Sequence, residues 1–128
     1  MSWTHALWVG SGGFLGAVLR WGTGVLLARA AASLGLPIAT LTVNVVGCFL
    51  FGALAGYSQT RELFSEEIRL FLLVGLLGGF TTYSALGFEA FSLLKAQDWT
   101  RFAIHVGLHL VLGIGAVAAG YALGAGRT

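Results

Sequence analysis

Charge is what this sequence has least of. Of its 128 residues, 9% are Asp, Glu, Lys or Arg and 57% are hydrophobic, a composition that cannot cover the surface of a soluble domain. Seven Lys+Arg against five Asp+Glu leave a formal charge of +2, too few cations for a basic patch, so nucleic acid is excluded as a partner. The single cysteine, Cys48, excludes an intrachain disulfide, a CxxC redox pair and a four-ligand zinc module. There is one methionine, Met1, and the scattered aromatics form no cofactor box. GxSxG, P-loop and HExxH runs are absent, and His5 and Asp98 fall at the edges of apolar runs. No enzyme constellation is present.

Four long apolar runs fill the space between the charges. They are Ala6 to Ala28, interrupted only by Arg20; Ile38 to Tyr57; Leu70 to Phe88; and Phe102 to Gly126, which holds His105 and His109. About 20 apolar residues at a rise of 1.5 Å cross a hydrocarbon core of roughly 30 Å. The chain therefore reads as an all-α integral membrane protein, one domain over residues 1–128 with four transmembrane helices in the lipid bilayer. Met1 to His5 has no Lys or Arg and the first run exceeds a signal-peptide core, so this helix is expected to be kept.

The connections read as Arg29 to Pro37, Ser58 to Arg69 and Lys95 to Arg101, with Pro37 suited to a helix's first turn and Gln97-Asp98 marking the last turn. Arg61, Glu62, Glu66, Glu67 and Arg69 read as a solvated loop and helix entry. Four spans put both termini on one side. That side carries Arg61, Arg69 and Arg127, and the other carries Arg29, Lys95 and Arg101. Orientation follows the Lys/Arg excess of short loops, and in this chain there is none. Both insertions are expected, which permits an antiparallel dimer about an axis in the membrane plane. The competing reading is a single orientation set by something else.

Glycine is abundant, with 20 residues. Gly12-x-x-x-Gly16, Gly52-x-x-x-Gly56 and Gly120-x-x-x-Gly124 are faces on which lipid-embedded helices approach closely. Arg20 continues the first of these at i+8, on a packed face. Two readings stand for it: a charge facing a polar cavity, or a side chain snorkelling over about 12 Å to the interface.

Two polar tracks remain. Thr40, Asn44 and Cys48 recur every fourth residue on one face of the second helix. Asn44 is either interhelical glue or a donor facing a pathway. On the third helix, Gly78-Gly79-Phe80-Thr81-Thr82-Tyr83-Ser84 poorly specifies a continuous helix, and a helix broken near mid-membrane is expected. Backbone groups freed there must be buried in protein or line a cavity, and transporters and channels place ion sites at such points.

Gly12-x-x-x-Gly16-x-x-x-Arg20-Trp21, then Thr40 to Gly47 around Asn44, then Gly78 to Ser84 followed by Glu89, resemble the fluoride channels (Fluc, also called CrcB) over the first three helices. The resemblance implies a dual-topology antiparallel homodimer in the cell inner membrane, with two fluoride pores and a structural Na+ at the two-fold axis. It implies that Asn44 donates an N–H to fluoride and that Tyr83 and Leu86 occupy the two positions of an aromatic box. Ring edges carry partial positive charge and can meet a dehydrated anion. Thr40, Ser84 and Glu89 match polar positions along that anion pathway. The carbonyls of Gly78 and Thr81 would bind sodium, two from each chain, and its charge would raise local anion affinity.

The chain departs from the family pattern in having Tyr83 and Leu86 where relatives have phenylalanine, so half of the box is aliphatic. His105 and His109 stand where relatives carry small polar residues. Their i, i+4 spacing permits metal binding, pore lining or interhelical bonding, and no acidic ligand is adjacent to them. If they line the pore, conduction depends on pH. The implied function is passive export of cytoplasmic fluoride. A proton-coupled small multidrug transporter is the alternative, but it needs a carboxylate on the first helix, and Ala6 to Ala28 has none. A membrane scaffold held by glycine faces leaves Asn44 and the third-helix motif without a role.

Overall fold

The computed structural model describes residues 2–60 and 64–126. Helix α1 (Trp3–Leu34) is capped by the Ser2 hydroxyl, which accepts from the His5 N–H at 3.3 Å. It stops at Gly35, whose left-handed φ of 63° lets its N–H close onto the Ala31 carbonyl. The helix overruns the expected end at Ala28 because Ala30, Ala31 and Ala32 are strong helix formers and no breaker precedes Gly35. Arg29 is therefore helical, and the connection is Gly35 to Pro37. Helix α2 (Ile38–Thr60) follows, with Pro37 one residue ahead of it.

The third span is composite. Ser65 caps a short α3 (Glu66–Arg69), which continues as a π-helical stretch over Leu70–Leu77 and then α4 (Gly78–Phe80). Thr81 and Thr82 are extended, and α5 (Tyr83–Lys95) follows them. Gln97 takes a positive φ in the expected turn, and Asp98 caps α6 (Trp99–Ala125) by accepting from the Arg101 N–H at 3.0 Å. Arg101 thus lies in the first turn of α6 rather than in a connection. Arg61, Glu62 and Arg127 lie outside the described residues.

Four helical spans, Trp3–Leu34, Ile38–Ser58, Glu66–Lys95 and Trp99–Ala125, are long and apolar enough to cross a membrane. At 1.5 Å per residue α1 is about 48 Å long and exceeds the hydrocarbon core. The chain is a multi-pass membrane protein, and its burial pattern is inverted accordingly. Trp3, Leu26, Phe88 and Val111 point outward, whereas Thr40, His105 and His109 are buried beside Val43 and Leu77.

The helices pack as two pairs, α2 on α6 and α1 on the first half of the third span, with α5 also against α6. Glycine makes both contacts. A Cβ on Gly52 or Gly56 would strike the carbonyl of Val117 or Tyr121 on α6, and one on Gly120 or Gly124 would strike that of Phe49 or Ala53 on α2. Gly12 and Gly16 of α1 meet the carbonyls of Phe71 and Leu76 in the same way. The obstacles are backbone atoms, which cannot rotate aside. Gly120→Val should therefore cost about 1–3 kcal/mol by overpacking and lower the thermal midpoint in detergent. Gly115→Ala, where a Cβ meets nothing within 4 Å, should leave it near the parent value.

Candidate functional site

The site is built around the two extended threonines. Leu77's carbonyl accepts the Thr81 N–H at 3.0 Å and the Thr81 hydroxyl at 2.9 Å, the last bonds of the helical ladder before Thr81 turns extended at φ −82°, ψ 159°. In an uninterrupted helix the Thr82 N–H would return to Gly78. Instead it donates to Asn44 Oδ1 at 2.8 Å, while Asn44 Nδ2 donates to the Thr82 carbonyl at 3.0 Å. One amide side chain thus satisfies both backbone groups of a residue that has left the helix. Nδ2 keeps a second hydrogen for another acceptor. Thr82 also caps α5, its hydroxyl accepting from the Ala85 N–H at 3.2 Å. The N–H groups of Tyr83 and Ser84, at the positive end of the α5 dipole, have no intrahelical acceptor.

Two concavities flank this crossing. The larger, about 530 Å³, is lined by Asn44, Cys48, Thr81, Thr82, Tyr83, Leu86 and His109 among mostly apolar neighbours. The smaller, about 300 Å³, holds Arg20, Thr40, Thr82 and Ser84. Arg20 donates from Nη1 to the Thr81 carbonyl at 3.2 Å, which fixes it on the interior face with Gly12 and Gly16. Tyr83 is 85% exposed on this single chain.

Glu89 lines neither concavity. Thr40 donates its hydroxyl to Glu89 Oε1 at 2.5 Å, and His105 Nε2 lies 3.2 Å from Glu89 Oε2. The absence of an acidic neighbour for the histidines is thus corrected: the carboxylate comes from α5, which sequence adjacency does not reveal. The rings of the two histidines meet edge-on with centroids 4.6 Å apart, and their further neighbours differ. His105 is packed against Glu89, whereas His109 borders the larger concavity. Among the described residues no three His, Cys, Asp or Glu side chains are grouped to hold a metal. For sodium the donors are backbone oxygens. Gly78's carbonyl has lost its helical donor to Asn44 and lies on the exposed face of the chain. Thr81's carbonyl has a second lone pair beyond the one that accepts from Arg20. Hard, neutral oxygens of this kind fit a hard cation.

Sequence reasoning missed Thr82, which had no role until the structure placed its peptide groups on Asn44. The available signal was a threonine followed by an apolar run, the mark of a helix cap.

A sequence model described as CrcB-like protein, Camphor Resistance (CrcB), matches residues 7–121. The chain belongs to the CrcB-like family. Among its relatives, a protein of Chlorobium phaeobacteroides is 49% identical over 89 residues, covering 70% of this chain and 67% of its own. One from Agrobacterium fabrum is 43% identical over 116 residues, 91% and 92% of the two chains. One from Azobacteroides pseudotrichonymphae is 36% identical over 115 residues, 90% and 91%. Each of the three is named a fluoride-specific ion channel, FluC.

Proposed function

We propose that this chain is a passive, fluoride-selective channel that exports cytoplasmic fluoride and so gives fluoride resistance. The observation that carries the reading is the start of α5, which opens beside the Asn44 amide onto a largely apolar concavity. A small anion stripped of water needs donors that are already oriented. The second Asn44 hydrogen, the free N–H groups of Tyr83 and Ser84 and the ring edge of Tyr83 can supply them. The names of the relatives support fluoride as that anion. The weak acid enters a cell uncharged and dissociates in the cytoplasm, and the anion leaves down its own gradient through the channel. Membership of this family, with no acidic residue between Ala6 and Ala28, leaves the multidrug-transporter reading without support.

The direct test is efflux from liposomes holding the purified protein, with fluoride compared against chloride. Fluoride should leave and chloride should not. Asn44→Asp keeps an acceptor for the Thr82 N–H but sets a carboxylate where the donor stood, and it should lower fluoride flux by at least about tenfold, the equivalent of 1.4 kcal/mol. Equal flux of the two anions, or undiminished flux in the variant, would sink the reading.

The working unit in this proposal is an antiparallel homodimer of oppositely inserted copies, each with its third helix broken near mid-membrane at Thr81-Thr82. The equal Lys and Arg counts around the two sets of span ends support it, and so does the breadth of exposed apolar surface around Tyr83 and Phe88. Paired cytoplasmic and external reporters on the C-terminus should both be active; activity of one alone would remove the antiparallel arrangement.

Sodium belongs to the same proposal. The carbonyls of Gly78 and Thr81 from two chains would hold it, and it would supply a fixed positive charge between two anion paths. Within one chain, a Cβ on Gly78 meets nothing closer than the Leu73 carbonyl at 3.9 Å. Gly78→Val should therefore leave the single chain's packing largely intact while lowering both dimer content and the sodium retained by the purified protein. Sodium content is read by emission spectrometry and dimer content by cross-linking. Unchanged sodium and dimer content in the variant would remove the central-ion claim.

A further inference from the structure

Fluoride conduction by itself leaves His105 without a task. Its side chain is 2% exposed and lines neither concavity. Its Nε2 lies 3.2 Å from Glu89 Oε2, and neither atom has a hydrogen-bond partner elsewhere among the described residues. Two buried polar atoms in that state are costly apart, and one hydrogen between them satisfies both. The surroundings hold them together. Thr40 donates to the other carboxylate oxygen at 2.5 Å. On the far side His109 meets the His105 ring edge-on, with centroids 4.6 Å apart, and donates from Nδ1 to the His105 carbonyl at 2.9 Å.

The carboxylate stands close to the space an anion would use. Thr40 lines the smaller concavity, where Arg20 is the charged residue of the lining, so Glu89 is one hydroxyl away from it. Thr82 borders both concavities, which places the smaller one beside the start of α5. A carboxylate held by Thr40 alone would set a full negative charge at that wall, at a dielectric where like charges repel strongly. His105 prevents this in either protonation state. As an imidazolium it cancels the charge, and as a neutral ring with its hydrogen on Nε2 it draws the charge toward α6 and away from the concavity. With a donor from His105 on the carboxylate, the Thr40 hydroxyl can also leave it and turn toward the concavity.

We propose that His105 is a positioning residue for fluoride conduction: it holds the Glu89 carboxylate on the α6 side and keeps its charge from the anion's route beside Arg20. The proposal rests on the fluoride-channel reading. Its consequence is conditional, because His105 is needed only while position 89 can carry a negative charge. A ring that served packing alone would be needed whatever stood at position 89.

The experiment is fluoride efflux from liposomes at constant pH and equal reconstituted protein, with the thermal midpoint in detergent recorded for each variant. His105→Leu fills much of the space of the ring without its nitrogens, and it should lower flux at least about tenfold. His105→Gln, whose amide can place an N–H near the lost Nε2, should stay within about threefold of the unaltered chain. Glu89→Gln should conduct, and adding His105→Leu to it should lower its flux by less than about twofold, the non-additivity expected of two side chains that act on each other. Full flux in His105→Leu, flux in His105→Gln as low as in His105→Leu, a tenfold loss repeated in the Glu89→Gln background, or a Glu89→Gln that does not conduct overturns the proposal. Absence of fluoride flux in the unaltered chain strikes instead at the channel reading. A second measurement covers the case in which His105→Leu does not fold. In protein carrying ¹⁵N-labelled histidine, assigned by elimination with His5→Gln and His109→Gln, Glu89→Gln should move the His105 Nε2 resonance and leave that of His5 in place. A His105 Nε2 signal indifferent to Glu89→Gln overturns the proposal whatever the flux.

Discussion

The two hydrogen bonds between the Asn44 amide and the backbone of Thr82 are the constraint on which the rest of the arrangement depends. A membrane-embedded chain cannot leave a helix without exposing peptide groups to hydrocarbon, at a cost of several kcal/mol for each unsatisfied group. Asn44 removes that cost for both groups of Thr82, at 2.8 and 3.0 Å. Because Thr82 can then stay extended, α5 begins afresh at Tyr83, with its own cap and its own positive end. The Gly78 carbonyl is released by the same exchange of partners. An alanine at position 44 would restore the demand for a continuous helix and remove the helix start that faces the concavity.

Close backbone packing supports this arrangement. Glycines on α2 and α6 bring those helices together until a methyl group on either would meet a carbonyl of the other, and α1 meets the third span on the same terms. In lipid no hydrophobic force draws helices together, so close packing and polar contacts must do so. The glycines of these faces point inward and most large side chains point outward, which leaves little aliphatic core beyond Val43 and Leu77 among the described residues. Thr40, Glu89, His105 and His109 occupy space that bulky apolar side chains fill in a soluble protein.

The four spans were legible in the sequence because apolar length is a one-dimensional property, and the glycine faces because i, i+4 spacing is local to a helix. Helix ends are less so: Arg29 and Arg101 resemble loop residues by charge alone, whereas Gly35 and Asp98 are the residues that terminate or start a helix. Thr40, Asn44 and Cys48 could be placed on one face, yet not their partners. Asn44 finds Thr82 at a separation of 38 residues, and Thr40 finds Glu89 at 49. The histidine pair shows the limit most clearly. Identical residues one turn apart received one set of alternatives, and three-dimensional packing put them in different surroundings, a carboxylate for His105 and a concavity for His109.

Electrostatics in the interior is asymmetric, and the asymmetry suits an anion. Glu89 is the only acidic residue between Leu70 and Gly126 apart from Asp98 in the turn before α6. Its two oxygens lie against the Thr40 hydroxyl and the His105 ring, outside both concavities. Arg20, by contrast, is held by a neutral carbonyl and lines the smaller concavity beside Thr40 and Ser84. A carboxylate paired with Arg20 would cancel its field, whereas a carbonyl dipole orients the guanidinium and leaves the charge in place. Opposite charges on the same chain thus act differently: the negative one is engaged within the packing of three helices, and the positive one stays available to the space beside them. At low dielectric a single uncancelled charge acts far more strongly than in water. A small anion beside Arg20 would meet that charge in its favour, and the Thr40 and Ser84 hydroxyls can turn a hydrogen toward it.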